Sequence, residues 1–208
     1  GGTIVTAGPT TPVSVVVADV DGANGDDFIT ADQGAAITVG VNTGGGGFLT
    51  TTINPSTPTY VPVAIDAGEF SGVPGVDVAL IAGDVLTLQA AVYVYRNNGV
   101  GSFSLLSTTP VPGLGIPSDL ATADLGNPNG DDIVVSGANN GAYLMVNNGG
   151  GAFTQTALPG TYPRPIKAVV AGDFGGDANT DLALLEGDAT GGALNILIGD
   201  GAGNFTAR

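Results

Sequence analysis

The sequence has 208 residues, including 36 glycines and 13 prolines, and it contains no cysteine or histidine. Their absence excludes disulfides, ordinary zinc sites and nucleophile systems that use a Ser-His or Cys-His pair. Nineteen acidic and four basic residues give a formal charge of −15, which repels phosphate backbones, so we expect no nucleic-acid partner.

Short β-rich stretches separated by Gly, Asn, Asp and Pro follow one another along the chain. The first strands are predicted at residues 13–18, 27–31, 36–42 and 48–53. The next four are predicted at residues 63–67, 76–81, 91–96 and 103–107, and later equivalents at residues 133–136 and 194–198. The pattern predicts an all-β chain built from four-stranded meanders.

Two sequence markers recur in the same order along the chain. An acidic, glycine-containing loop starts at Asp19, Glu69, Asp124 and Asp173. A glycine-rich turn that ends in phenylalanine recurs at Phe48, Phe103, Phe153 and Phe205. Both markers repeat about every 50 residues, which is typical of repeat folds. They indicate one domain over residues 1–208, with repeats at residues 12–54, 61–109, 117–158 and 165–208.

A four-stranded sheet has two faces to cover, so the four units must pack face to face. Radial packing gives a β-propeller of four four-stranded blades, and a linear solenoid is the alternative. The chain ends soon after Phe205, and we therefore expect residues 1–8 to supply the strand that completes the last blade. That strand would close the ring within the chain or reach a neighbouring chain, which would give a two-chain ring or a fibre.

The repeats resemble the FG-GAP or VCBS repeats of integrin α-subunit propellers and of many secreted bacterial proteins. The resemblance covers essentially the whole chain and rests on VADVDGANGDDFIT, AGDFGGDANTDLALL and the closing GDGAGNF. It implies a β-propeller, an extracellular location and calcium in the acidic loops. Members of this family usually have about seven blades, within the range of known propellers, whereas this sequence holds four repeats.

Calcium prefers hard oxygen ligands, which alternate side chains of a glycine-assisted loop can supply. By the resemblance, the most complete ligand sets are those of the first and fourth loops: Asp19, Asp21 and Asp27, and Asp173, Asp177 and Asp181. Smaller sets remain in the second and third loops: Glu69 and Asp77, and Asp124 and Asp132. The alternative is that each aspartate accepts backbone N–H bonds of its own turn and holds no metal.

We expect a non-catalytic adhesion, binding or surface-assembly module that is secreted or lies at the cell surface. Its expected partners are a protein or glycan at an extracellular surface, or further copies of itself as a homo-oligomer. A fibre built by exchange of the N-terminal strand is one alternative. A lectin-like propeller, or an accessory domain of a secreted carbohydrate-active enzyme, is another.

Three smaller observations bear on these alternatives. Sugar sites present aromatic faces, and the candidates here are tyrosines: Tyr60, Tyr93, Tyr95, Tyr143 and Tyr162. The adjacent carboxylates in Asp26-Asp27 and Asp131-Asp132 point to opposite faces of a strand, so we expect no paired-carboxylate catalysis. Asn204 begins the single acceptable N-glycosylation sequon, and no apolar run is long enough to insert into a membrane.

Overall fold

The structure is a computed structural model that describes residues 11–34, 36–54, 60–84, 86–139 and 141–208. These residues form 16 β-strands in four antiparallel sheets of four strands each. The described residues contain no helix with the length and apolar character needed to cross a bilayer.

The four blades follow one another along the chain. Blade 1 contains β1 (Pro12–Ala18), β2 (Asp27–Asp32), β3 (Ala36–Gly44) and β4 (Gly47–Ile53). Blade 2 contains β5 (Val61–Gly68), β6 (Asp77–Asp84), β7 (Gln89–Asn97) and β8 (Phe103–Val111). Blade 3 contains β9 (Pro117–Ala123), β10 (Asp132–Gly137), β11 (Gly141–Asn147) and β12 (Phe153–Ala157). Blade 4 contains β13 (Ile166–Gly172), β14 (Asp181–Asp188), β15 (Gly191–Gly199) and β16 (Phe205–Ala207).

Each blade is a meander in which consecutive strands are hydrogen-bonded neighbours. The inner strands β1, β5, β9 and β13 contact one another in turn, so the sheets are arranged radially. Three apolar clusters fill the spaces between successive blades. The chain is a β-propeller of four four-stranded blades, as the repeat pattern predicts.

Three of the four closing phenylalanines pack between sheets, as expected from their apolar size. Phe103 is buried in the cluster between blades 1 and 2. Phe153 and Phe205 are partly buried against the next two clusters. In blade 1, the rings of Phe28 and Phe48 lie 5.2 Å apart between centroids.

Blade 4 has its own outer strand. Strand β16 is three residues long and pairs with β15, with Phe205 opposite Gly199 and Ala207 opposite Leu197. The expectation that the fourth repeat lacks this strand is therefore wrong, because three residues after the glycine turn are enough to form the ladder. Residues 1–8, which we expected to complete the blade, lie outside the described residues.

The described blades form an open arc. Close contacts join β1 to β5, β5 to β9 and β9 to β13, and no comparable contact joins β13 to β1 among these residues. Val15 in β1 is 61% exposed, whereas Ile65 at the same position in β5 is 5% exposed. Within the described part of the chain, direct contact between blades 4 and 1 does not close the ring.

Candidate metal centre and the acidic loops

The four acidic loops lie at the same end of the propeller, because each connects the inner strand of a blade to its second strand. Neighbouring loops also touch. The N–H of Glu69 donates to Oδ2 of Asp131 at 2.9 Å, and the N–H of Asp131 donates to the carbonyl of Glu69 at 2.9 Å. The loops thus form an acidic rim around one end of the arc.

The last aspartate of each loop has a structural role. These residues are at most 1% exposed: Asp27, Asp77, Asp132 and Asp181. Asp77, for example, accepts N–H bonds from Phe70 at 3.1 Å, Ser71 at 2.8 Å and Asn97 at 2.9 Å. The carboxylate thereby ties the loop to the end of the third strand. Each of the four carboxylates accepts at least one backbone N–H bond.

The first loop brings three carboxylates together. One oxygen from each of Asp19, Asp21 and Asp27 lies within 4.8 Å of the other two. Asp19 also accepts the N–H of Gly22 at 2.8 Å, and Asp21 that of Ala23 at 2.9 Å, which holds the tight turn. Three carboxylates facing a common point are the donor set that a hard cation such as Ca²⁺ uses.

The fourth loop is arranged differently. Asp173 accepts N–H bonds from three turn residues: Gly176 at 2.5 Å, Asp177 at 3.3 Å and Ala178 at 3.1 Å. Asp181 accepts three more, and the bond from Gly199, followed by those from Gly175 and Phe174, lowers its pKa. Among the described residues, the carboxylates of this loop do not form a triad as close as that of the first loop.

Amide groups and burial shape the third loop. Asp132 accepts the N–H of Asn147 at 2.8 Å and a side-chain N–H of Asn127. Burial, together with the nearby carboxylates of Asp124 and Asp131, raises the pKa of Asp132 to about 6. The third loop therefore pairs its buried carboxylate with a neutral amide of its own chain.

In the second loop, Ser71 stands where Asp21 stands in the first loop. The pKa of Glu69 is raised by burial and by the carboxylates of Asp77 and Asp131. The carboxylate of Asp77 accepts a backbone N–H bond from within the second loop, and that of Asp131 in the third loop accepts one from Glu69. The second loop thus holds its carboxylates in protein hydrogen bonds.

Sequence reasoning missed a set of asparagines that fasten one blade to the next. The side-chain amide of Asn97 donates to the carbonyl of Val20 in the preceding blade at 2.7 Å. Asn147 makes the corresponding bond to the carbonyl of Phe70 at 3.5 Å. The signal was present in the sequence as an asparagine two residues before the first glycine of each of the first three glycine turns.

The structure also places the remaining candidate residues. Asn204 is exposed, and its side-chain amide donates to Asp200 Oδ2 at 2.8 Å. Asp26 is exposed while Asp27 is buried, so this carboxylate pair points to opposite sides, as expected. Three of the tyrosines are buried, and their faces are therefore withdrawn from any sugar: Tyr93, Tyr95 and Tyr162.

One solved structure supports the architecture. The chain is similar to BBS1N in the crystal structure of BBS1N in complex with ARL6DN, soaked with lead, with a TM-score of 0.61. The two chains are 15% identical, and the match covers 95% of this chain and 55% of that chain. The likeness shows a β-propeller. This chain spans just over half the length of that one. No protein-family model and no curated protein matches the sequence.

Proposed function

We propose that the protein is a non-catalytic, extracellular binding module of the FG-GAP or VCBS type, stabilised by calcium at its first acidic loop. The observation that carries the proposal is the convergence of Asp19, Asp21 and Asp27 on one point. Calcium sites of extracellular modules typically have dissociation constants of about 10⁻⁴ to 10⁻³ M. A loop with three carboxylates and open coordination positions suits that weak range.

The position of the loop suggests how calcium serves binding. Asp19 is exposed and Asp21 is half-buried, so an ion held there would face solvent at the rim. Calcium takes six to eight oxygen ligands, which leaves positions for oxygen atoms of a partner. The ion would also reduce the repulsion created by a formal charge of −15. A carboxylate or hydroxyl group on a protein or glycan at an extracellular surface is the partner chemistry that fits.

A matched pair of variants tests the calcium proposal. Asp19 and Asp124 occupy the same loop position, and each accepts one N–H bond of its turn, at 2.8 and 2.9 Å. We expect saturating calcium to raise the unfolding midpoint of the wild-type protein by about 5–10 °C relative to chelator. Asp19→Asn should abolish this shift, whereas Asp124→Asn should retain it.

Thermal unfolding followed by circular dichroism measures both effects, and magnesium in place of calcium shows whether the site prefers the larger ion. A wild-type midpoint that is unchanged by calcium would refute the proposal. Equal loss of the shift in both variants would refute the assignment to the first loop.

A further inference from the structure

The joint between successive blades follows a repeated design. The backbone carbonyl of the second residue of an acidic loop accepts two hydrogen bonds from the next blade. Val20 accepts from the side chain of Asn97 at 2.7 Å and from the N–H of Gly101 at 3.2 Å. Phe70 accepts in the same way from Asn147 and from Gly151. The first two joints therefore each have an accepting loop on one blade and a donating asparagine on the following blade, whereas the joint between blades 3 and 4 has Gly199 at the asparagine position.

The accepting side of blade 4 is exposed. Val20, Phe70 and Leu125 are at most 2% exposed because the next blade covers them, whereas Phe174 at the same position is 47% exposed. The same contrast holds on the second and third strands. Leu185 is 47% exposed where Ile81 is 0%, and Leu194 is 63% exposed where Val92 is 0%.

These exposed side chains lie on one side of blade 4 and define what we call the end face: Val170, Phe174, Leu185 and Leu194. At most of the equivalent positions inside the arc, the side chains belong to the apolar clusters that fill the space before the following blade. A contiguous apolar surface of this kind marks an interaction site. The end face thus corresponds in position to the faces that a following blade covers inside the arc.

Blade 1 carries the complementary half of the joint. Asn42 occupies the position of Asn97 and Asn147, and its side chain donates within its own blade, to the carbonyls of Asn24 and Asp26. Asn97 and Asn147 are already engaged in joints, and blade 4 has Gly199 at this position. Among the described blades, blade 1 alone combines the joint asparagine with an inner strand exposed at Val15 and Val17.

We propose that the end face of blade 4 docks against blade 1 of a second copy of this chain. The contact is head-to-tail, with the Phe174 carbonyl accepting from Asn42 of the second copy and Val170 packing against its β1. Two such contacts related by a twofold axis close a ring of about eight blades, which is within the range of known propellers. This inference does not depend on the calcium proposal.

Solution mass in the presence of chelator tests the inference separately from calcium binding. We expect light scattering to give twice the mass of one chain. Leu194→Glu should produce a monomer, with a dissociation constant raised roughly hundredfold, because it places an unpaired charge in an apolar contact. Leu86→Glu is the matched control, since Leu86 is 85% exposed and lies on blade 2. It should remain dimeric.

Variants of blade 1 test whether this blade is the surface that docks on the end face. Val15→Glu should also give a monomer, and Asn42→Ala should raise the dissociation constant about fivefold. Mixing the Leu194→Glu and Val15→Glu chains should restore a dimer through one intact joint. Circular dichroism confirms that each variant is folded.

Three results would overturn the inference. The first is a wild-type protein that stays monomeric up to about 1 mM. The second is a dimer that Leu194→Glu leaves intact. The third is a dimer that Leu194→Glu dissociates but Val15→Glu does not, because two end faces would then be packing against each other.

Discussion

The first and fourth acidic loops have the same length and a buried aspartate at the same position, yet their other carboxylates are arranged differently. In the first loop, Asp21 stands between Asp19 and Asp27, and the three carboxylates converge. In the fourth loop, Gly175 takes the place of Asp21, and the backbone amides of the turn satisfy Asp173 instead.

The comparison shows that the number of carboxylates in a loop does not by itself define a cation site. The first and fourth loops each contain three aspartates at candidate positions. What differs is the position of the middle carboxylate. Asp21 comes two residues after the first aspartate of its loop and lies close to the buried Asp27, whereas Asp177 comes four residues after the first aspartate of its loop. Backbone N–H groups compete with a cation for the same oxygen atoms: they engage both oxygens of Asp173 in the fourth loop but one oxygen of Asp19 in the first.

The largest expected effect separates the structural aspartate from its exposed neighbour. Asp27→Ala leaves the buried N–H groups of Val20 and Asn42 without their acceptor. We expect it to lower the free energy of unfolding by about 2–4 kcal/mol in calcium-free buffer. Asp26→Ala is the control and should change it by less than about 0.5 kcal/mol. Urea denaturation measures both values, and equal losses would contradict a structural role specific to Asp27.

The buried aspartate of the third loop, Asp132, makes the stability of the protein depend on pH. The pKa of Asp132 is raised to about 6 in the folded protein, above its ordinary value of 3.8, so the folded state favours the protonated form. Its contribution to stability is therefore full below the unfolded pKa and is lost as pH rises through about 6. We expect this group to add about 1 kcal/mol of stability on going from pH 7 to pH 5.

Asp132→Asn should remove that part of the pH dependence, as measured by urea denaturation at each pH. Glu69 and Asp119 also have raised pKa values, so part of the gain should remain in the variant. Several other carboxylates have lowered pKa values and stay ionised throughout this interval: Asp84, Asp181, Asp188 and Asp200. An unchanged pH profile in the variant would show that Asp132 does not titrate there.

The smallest expected effect comes from converting the fourth loop toward the first. A Cβ at Gly175 would lie 3.3 Å from Asp181 Oδ2 and 3.6 Å from Asp177 Oδ1. Gly175→Asp should lower the unfolding midpoint by about 1–2 °C without calcium, because like charges are brought together. With calcium it should gain a second binding event in calorimetry. Gly175→Asn is the uncharged control, and a second event in that variant would contradict the explanation.

Much of the fold could be predicted because its signals are local. Short apolar strands alternate with glycine and asparagine turns, and the first and last carboxylates of each acidic loop are eight positions apart, so the repeats can be aligned from the sequence. Predicted strand ends differ from the observed ones by a few residues; β8 continues to Val111 because it keeps pairing with β7 as far as Ala90. Asn97 was missed because its partner, Val20, lies 77 residues earlier in the chain.

By itself, the sequence determined the all-β class, the four repeats and the positions of the acidic loops. Turn residues and apolar strands are properties of short segments, and their recurrence identifies the unit. Only the tertiary structure decided that the first loop gathers its carboxylates while the fourth does not, and that blade 4 leaves an apolar face open. Both depend on where backbone amides and neighbouring sheets lie in space, because the same side chain is satisfied, buried or exposed according to what folds beside it.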